Sequence, residues 1–468
     1  MPHFRRSNLI VLALLLSVVG LTSCELLGDT SLPDYASIAN ISYVRDVQVL
    51  FDDQCAACHD GSQTPLDLTS MTGLRAGTDA GGAVIPFAAD RSRLIRMLST
   101  RTGGVHPVDV GQEAVTEAEF DFLKRWIDAG ARDDDGQPMY ADAAHTAIAS
   151  FPDEALIAIL DTDRLAVARL IDLESLGFAA SSRPTAVAAI PDGSGWFVSL
   201  PGEGIVLRFD SGHTLRGLAE IESAGALDAS FDGAWLVSGR IAGRGQDQIE
   251  TVETGDMRVF PTQSTFPDMQ GVAIRPQGDI AYAASRSADQ MALILVGKTQ
   301  PTYVGMDGPR HAVSSMVVTP DGSTLVAFGS QSGQGILFDL TVPESPRQTG
   351  VVDFGGSLLM GTQSGSQGAV LTTSGQVRVA ELAPGSIART LAINSQATSL
   401  GAAGSVLVVG SRDTGLSTGP NFSDQPVVGV ITVLDAATGQ VLRHIQVDGV
   451  PGRITGLFGA TPTKTGRQ

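Results

Sequence analysis

Two thiols and an imidazole fall within five consecutive residues of this chain, Cys55-Ala56-Ala57-Cys58-His59. Thiols at this spacing can each add to a vinyl group of one porphyrin, and a histidine directly after the second can bind the iron from the proximal side. Cys-x-x-Cys-His is therefore the attachment signature of c-type haem. The expected cofactor is one covalent haem c, joined to Cys55 and Cys58 with His59 on the iron. A dithiol redox site or a zinc site would use the same pair of cysteines. Against these, the chain has only three cysteines, none is left to complete a zinc shell, and no βαβ pattern surrounds the pair.

The third cysteine, Cys24, ends Leu21-Thr22-Ser23-Cys24, which resembles a bacterial lipobox. Arg5 and Arg6 precede an apolar run over 9–19, too short for a membrane span of about 20 residues but suited to a signal peptide. Export fits the haem motif, because haem is joined to its thiols outside the cytoplasm. The expectation is a lipoprotein signal peptide over 1–23, lipidation at Cys24 and a tether over 24–37. The mature chain would sit in the periplasm or at the cell surface, membrane-bound through its N-terminal lipid alone.

Charge narrows the partners. The chain carries 31 basic against 50 acidic residues, a formal net charge of −19, and loss of Arg5 and Arg6 with the signal leaves 29 against 50, or −21. Such a surface disfavours nucleic acid and anionic membrane faces. It would steer a redox partner protein of the cell envelope that carries a basic patch.

The elements that must position the motif are helical. Ile41, Val44, Val47 and Phe51 repeat at helical spacing and lead into the cysteines. Thr116-Glu117-Ala118-Glu119 reads as a capping box ahead of Phe120, Leu123, Trp126 and Ile127, and Gly130 stops that helix. Several further segments carry a family likeness: Gln54 through Gly61, Pro65-Leu66-Asp67-Leu68, Gly81-Gly82-Ala83-Val84-Ile85-Pro86, Ser92-Arg93-Leu94 and Arg125-Trp126-Ile127-Asp128-Ala129-Gly130-Ala131. Together they resemble the cytochrome c domains of planctomycete-type exported proteins, whose class I fold crosses its first and last helices. In that family a Met-Pro pair before the tryptophan supplies the second axial ligand. Here the matching pair is His106-Pro107, 20 residues before Trp126, so the resemblance implies a haem with two histidine ligands and a lower potential than methionine would give. A surface histidine is the other reading of His106, with Met71 or Met97 then available as ligand. Arg91, Arg93 and Arg96 could pair with haem propionates or lie solvated on a helix.

Beyond Asp133-Asp134-Asp135-Gly136-Gln137-Pro138 the pattern changes to short β runs broken by glycine turns. Pro191-Asp192-Gly193, Phe231-Asp232-Gly233, Pro276-Gln277-Gly278 and Pro320-Asp321-Gly322 mark equivalent turns. First strands begin near Pro184, Ala224, Met269, Val313, Gly355, Ala397 and Gly449, offsets of 40, 45, 44, 42, 42 and 52 residues. Periods of about 40–45 residues indicate four-stranded propeller blades, and the long last offset places an insertion at 414–425. The chain stops after one inner strand at 453–458, and the three strands that complete its blade match 146–150, 156–160 and 165–171. Phrases such as Ile431-Thr432-Val433-Leu434-Asp435 resemble the YVTN type of bacterial propeller. The fold class is thus multidomain. A small all-α class I cytochrome c domain over 38–136 precedes an all-β seven-bladed propeller over 140–460 closed by both its termini, and a tail follows over 461–468.

Reaction sites in propellers gather at the tunnel mouth, on the loops entering the innermost strands. There the pair Arg310-His311 is the candidate for holding an anion or a second cofactor, with Arg183 nearby in kind; a solvated loop is its plainer reading. His213 and His444 read as surface residues. No serine sits in a nucleophile elbow and no glycine run precedes a helix as a phosphate cradle would. The expected function is a lipid-anchored monohaem cytochrome carrying electrons in the cell envelope, its propeller docking a partner or serving as scaffold. The alternatives are a periplasmic oxidoreductase reacting at the propeller mouth, an order of domains similar to that of the two-haem cytochrome nitrite reductases, and a cell-surface propeller that binds a ligand or protein.

Overall fold

The computed structural model describes residues 33–99, 106–240, 248–263, 266–393, 396–412 and 429–458. Cys24 with the expected signal segment, the expected insertion at 414–425 and the expected tail at 461–468 lie outside these residues. Among the described residues no helix is long and apolar enough to cross a membrane.

Apolar side chains on both faces of most strands dictate the larger part of the molecule. The strand Leu156–Asp161, Leu-Ile-Ala-Ile-Leu-Asp, is buried at every position, which requires a neighbouring layer on each side. Leu156, Ala158 and Leu160 face one neighbour, and Ile157 and Ile159 face the other, as strand alternation demands. Repeated around the ring, this gives seven four-stranded antiparallel sheets and seven apolar clusters, one in each gap between adjacent sheets. The chain is a seven-bladed β-propeller.

Six blades are continuous in sequence, with innermost strands Val187–Ala189, Ala224–Ala229, Gly271–Ile274, Val313–Val318, Leu358–Ser364 and Gln396–Ala403. The seventh joins the two ends of the domain: Ile454–Phe458 pairs with His145–Phe151, which continues to Leu156–Asp161 and Ala166–Asp172. Gly456 is obligatory in this closure, since a Cβ there would run into the carbonyl oxygen of Ala402 in the sixth blade. The four turns expected at Pro-Asp-Gly-like sites are formed with Gly193, Gly233, Gly278 and Gly322 at φ of 79, 65, 72 and 73°, where a side chain would be strained.

The leading unit is helical, with helices α1 (Gln48–Gln54), α2 (Met71–Ala76), α3 (Arg93–Leu98) and α4 (Glu117–Asp128). Thr116 and Glu119 form the reciprocal cap of α4, and Gly130 ends it at φ 108°. Trp126 is the centre of this unit's core: it meets Phe51 edge-on at 6.4 Å and Tyr43 at 5.8 Å, and its indole N–H donates to the Arg132 carbonyl at 3.0 Å. Two details depart from expectation. α1 is entered through a π turn over Tyr43–Val47, which rotates the face, so Tyr43, Val47, Leu50 and Phe51 are buried while Val44 is 65% exposed. The stretch read as the end of a tether is also anchored, with Tyr35 packed on Phe122 and Arg125 donating to the carbonyls of Tyr35 and Ile38.

The helical unit sits on the rim of the ring, across the outer strands Val441–Val447 and Ala166–Asp172. Arg96 forks onto the Asp448 carboxylate at 2.9 and 2.5 Å, Arg91 joins it at 3.0 Å, and Arg93 donates to Gln446 at 2.7 Å. The three arginines considered for propionates thus all reach toward the propeller. An otherwise open edge is capped as well, because the Gln446 amide donates to the Ala80 carbonyl at 3.2 Å.

Burial alone would raise the Asp448 carboxyl, but hydrogen bonds and charge from Arg96 and Arg91 outweigh it and hold the group below the usual carboxylate range. Its contribution is therefore complete above the unfolded pKa of about 4 and is lost as pH falls through the lower folded value. Asp448→Asn should cost about 1–3 kcal/mol at neutral pH, and wild type should approach the variant in acid. Thermal unfolding followed from neutral to acidic pH checks both; a constant difference between the two chains would contradict the assignment.

Candidate functional site

The Cys55–His59 segment forms the turn that ends α1. Amides of Cys58 and His59 both donate to the Cys55 carbonyl, at 3.1 and 3.0 Å, and the Leu68 amide returns to the His59 carbonyl at 2.8 Å. This turn places Cys55, Cys58 and His59 on the wall of one cavity of about 480 Å³, a volume in the usual range for bound cofactors. Both cysteines are free thiols and partly buried. The opposite wall carries His106 and Pro107, and Leu66, Leu68, Leu94 and Met97 make the remainder largely apolar.

His59 and His106 face each other across this space, with ring centroids 5.8 Å apart and planes at 77°. Each has one ring nitrogen engaged by a neighbouring side-chain oxygen: Thr64 Oγ1 lies 2.8 Å from His59 Nδ1, and Asp109 Oδ1 lies 3.0 Å from His106 Nδ1. That leaves Nε2 of both rings available to coordinate a metal. Outer-sphere oxygens of this kind fix the orientation of metal-binding histidines. Two imidazoles that grip one metal from opposite sides, at about 2 Å per bond, have centres roughly 6 Å apart. The residues present therefore fit a haem iron held between them.

Electrostatics favour a neutral imidazole at His59. Burial, and then the neighbouring His106, lower the His59 pKa, opposed by the Leu66 carbonyl. Burial pushes the Cys55 thiol up to about 12, with Glu119 and Asp53 adding to it.

The fallback methionines separate. Met97 lines the cavity, whereas Met71 packs against the core of the helical unit. Arg93 is the arginine of its group that also lines the cavity. Thr64 and Asp109 were not singled out from sequence, although Asp109 stands at the i+3 spacing that signals a pair on a helical turn. No group of three or more His, Cys, Asp or Glu arranged to hold a metal ion occurs among the described residues.

At the propeller mouth the structure does not bring Arg310 and His311 together as a site. Arg310 is exposed, while His311 is fully buried in the wall. Its backbone amide donates to Asp289 at 2.8 Å and its ring nitrogens meet Ser332 Oγ at 3.0 Å and the Asp307 carbonyl at 3.1 Å. Every polar atom of His311 is thereby used within the scaffold. Arg183 is exposed. His444 is half-buried, beside Thr432 Oγ1 at 3.0 Å, and His145 pairs with Asp163 at 2.9 Å.

No protein-family model and no curated protein sequence matches the chain. Among solved structures, a functionally unknown protein from Desulfotomaculum acetoxidans DSM 771 aligns with a TM-score of 0.51 at 15% identity, over 67% of this chain and 99% of that one. Kuenenia stuttgartiensis hydrazine synthase aligns with a TM-score of 0.46 at 16% identity, over 58% and 89%. At these identities the likeness concerns fold alone.

A thiol at a pKa of about 12 is almost wholly protonated near neutrality, so in chain prepared without haem Cys55 should alkylate roughly tenfold to a hundredfold more slowly than free cysteine at about pH 8. Peptide mass spectrometry after timed iodoacetamide treatment measures the rate. Parity with free cysteine would place the thiol outside the buried turn.

Proposed function

We propose that this protein is a monohaem c-type cytochrome that carries electrons in the cell envelope, anchored by a lipid on Cys24. The propeller serves as its scaffold and as the docking surface for a redox partner protein. One observation carries the reading: His59 and His106 meet at 5.8 Å across an apolar cavity whose wall holds the Cys55 and Cys58 thiols.

When bound, haem c supplies a one-electron iron couple. The chain's own residues do the rest. Cys55 and Cys58 would hold the group covalently, and the turn at the end of α1 sets their spacing. His59 and His106 would hold the iron, with Thr64 and Asp109 keeping the two rings in orientation. Leu66, Leu68 and Leu94 line the cavity and would keep water from a group held there. A second histidine in place of methionine sets a lower potential, which suits donation to a higher-potential partner.

Protein secreted by a host with cytochrome maturation should carry one haem per chain by pyridine haemochrome assay and a low-spin spectrum. Cys55→Ala with Cys58→Ala should abolish covalent haem, and His106→Ala should convert the iron to high spin. Colourless protein with both thiols open to alkylation would refute the reading, and a methionine-to-iron charge-transfer band would refute His106 as ligand. Cys24→Ser should shift the chain from the membrane to the soluble envelope fraction; unchanged membrane retention would exclude the lipid anchor.

A further inference from the structure

A second cleft of about 410 Å³ lies on the other side of the domain junction, between the helical unit, the linker near Tyr140 and two turns of the adjoining blade, the one at Gly193 between its first two strands and the one at His213 between its last two. Phe87, Met139, Ile159 and Leu457 give it an apolar lining, and Arg169 and His213 are its ionisable cation and imidazole. Arg169 lies on the outer strand Ala166–Asp172 of the closing blade. Its guanidinium stacks over the Phe87 ring at 4.6 Å, and among the described residues no carboxylate is within ion-pair distance of it. No Asp or Glu lines the cleft, although acidic residues outnumber basic ones 50 to 31 in the chain.

His213 is held as a neutral donor. The Trp196 indole N–H donates to its Nδ1 at 3.1 Å, so Nδ1 is the unprotonated nitrogen and Nε2–H is the ring's remaining donor. Burial, with the Arg169 charge next, lowers its pKa to about 4, opposed by Asp210, which keeps that tautomer across the physiological range. Trp196 is itself fully buried and stacked on Phe209 at 4.2 Å, so the imidazole is fixed from behind. Phe87, Tyr140 and His213 all take left-handed backbone, at φ of 64, 65 and 61°, a conformation bulky residues seldom adopt.

A planar cation without a counter-ion, a fixed N–H donor and an apolar wall are the parts of a carboxylate site, because the guanidinium fork matches the two carboxylate oxygens. We propose that this junction cleft binds a small organic carboxylate with an apolar body, its anionic head on Arg169 and His213 and its body against Phe87 and Met139. The site is separate from the His59–His106 cavity and stands whether or not that cavity holds haem.

Benzoate is the probe, titrated into the full chain by calorimetry, with benzamide as its uncharged counterpart and inorganic phosphate as a compact anion. Benzoate should bind with a dissociation constant of ~1 mM or tighter and shift the Trp196 indole N–H resonance. Benzamide should bind at least roughly tenfold more weakly, and Arg169→Gln should weaken benzoate by roughly tenfold or more. Equal affinity for benzamide, preference for phosphate, or an unmoved Trp196 resonance would each overturn the proposal. The resonance is read on wild-type protein, so the test survives if Arg169→Gln does not fold; if it folds and binds benzoate normally, the assignment of Arg169 fails.

Discussion

A sheet with an open edge leaves backbone donors and acceptors unpaired, and the whole architecture follows from how this chain closes its ring. The closing blade borrows its innermost strand, Ile454–Phe458, from the far end of the propeller and its other three from the near end. The first propeller strand after the helical unit is therefore a second strand, not an innermost one. The linker packs toward that blade's outer strand, where Tyr140 shares a core with Ala166, and the helical unit lands beside the last outer strand, Val441–Val447. Docking then covers part of that strand's free edge through the Gln446–Ala80 hydrogen bond.

Charge is distributed to serve the same junction. In a strongly acidic chain, arginines are concentrated where the two units meet: Arg91 and Arg96 on Asp448, Arg93 on Gln446, and Arg443 on the Ala76 carbonyl at 3.0 Å. Asp448 is largely screened from solvent, with 28% of its side chain exposed, so its pairing is stronger than that of a typical surface ion pair. Arg169 differs from all of these in facing a cleft with no acid in it.

Much of this was legible in the sequence because local chemistry determined it. The Pro-Asp-Gly-like turns need positive φ at glycine, and the buried strands need apolar residues on both faces, so blade count and strand order could be read from turn spacing. The capping box at Thr116 and Glu119 was legible for the same reason. Less local facts were not. The burial of Tyr43 in place of Val44 depends on a π turn that shifts the helix face by one residue, which no periodicity rule anticipates. That His311 would be sealed into the wall depends on Ser332, 21 residues away, and that Arg91 and Arg96 would find Asp448 depends on a contact spanning more than 350 positions. Thr64 and Asp109 escaped notice because an orienting hydrogen bond has no motif of its own.

Arg93 joins the two halves of the molecule in a way that bears on what the propeller contributes. Its side chain lines the cavity of Cys55, Cys58, His59 and His106 and at the same time donates to Gln446 on the outer strand of the sixth blade. Burial lowers its pKa with no carboxylate to offset the cost, so its position is held by geometry and by that one neutral acceptor. α3, which carries Arg93, also carries Met97 on the same wall and Arg96 on Asp448. One short helix thus forms part of the cavity wall and, through Arg96, shares the ion pairing to the ring with Arg91 just before it. A helix of six residues has too few internal hydrogen bonds to be stable alone, and its placement must come from what it touches. The propeller is therefore part of the cavity's construction: by fixing α3 from outside, it sets the wall against which any group held by His59 and His106 would pack.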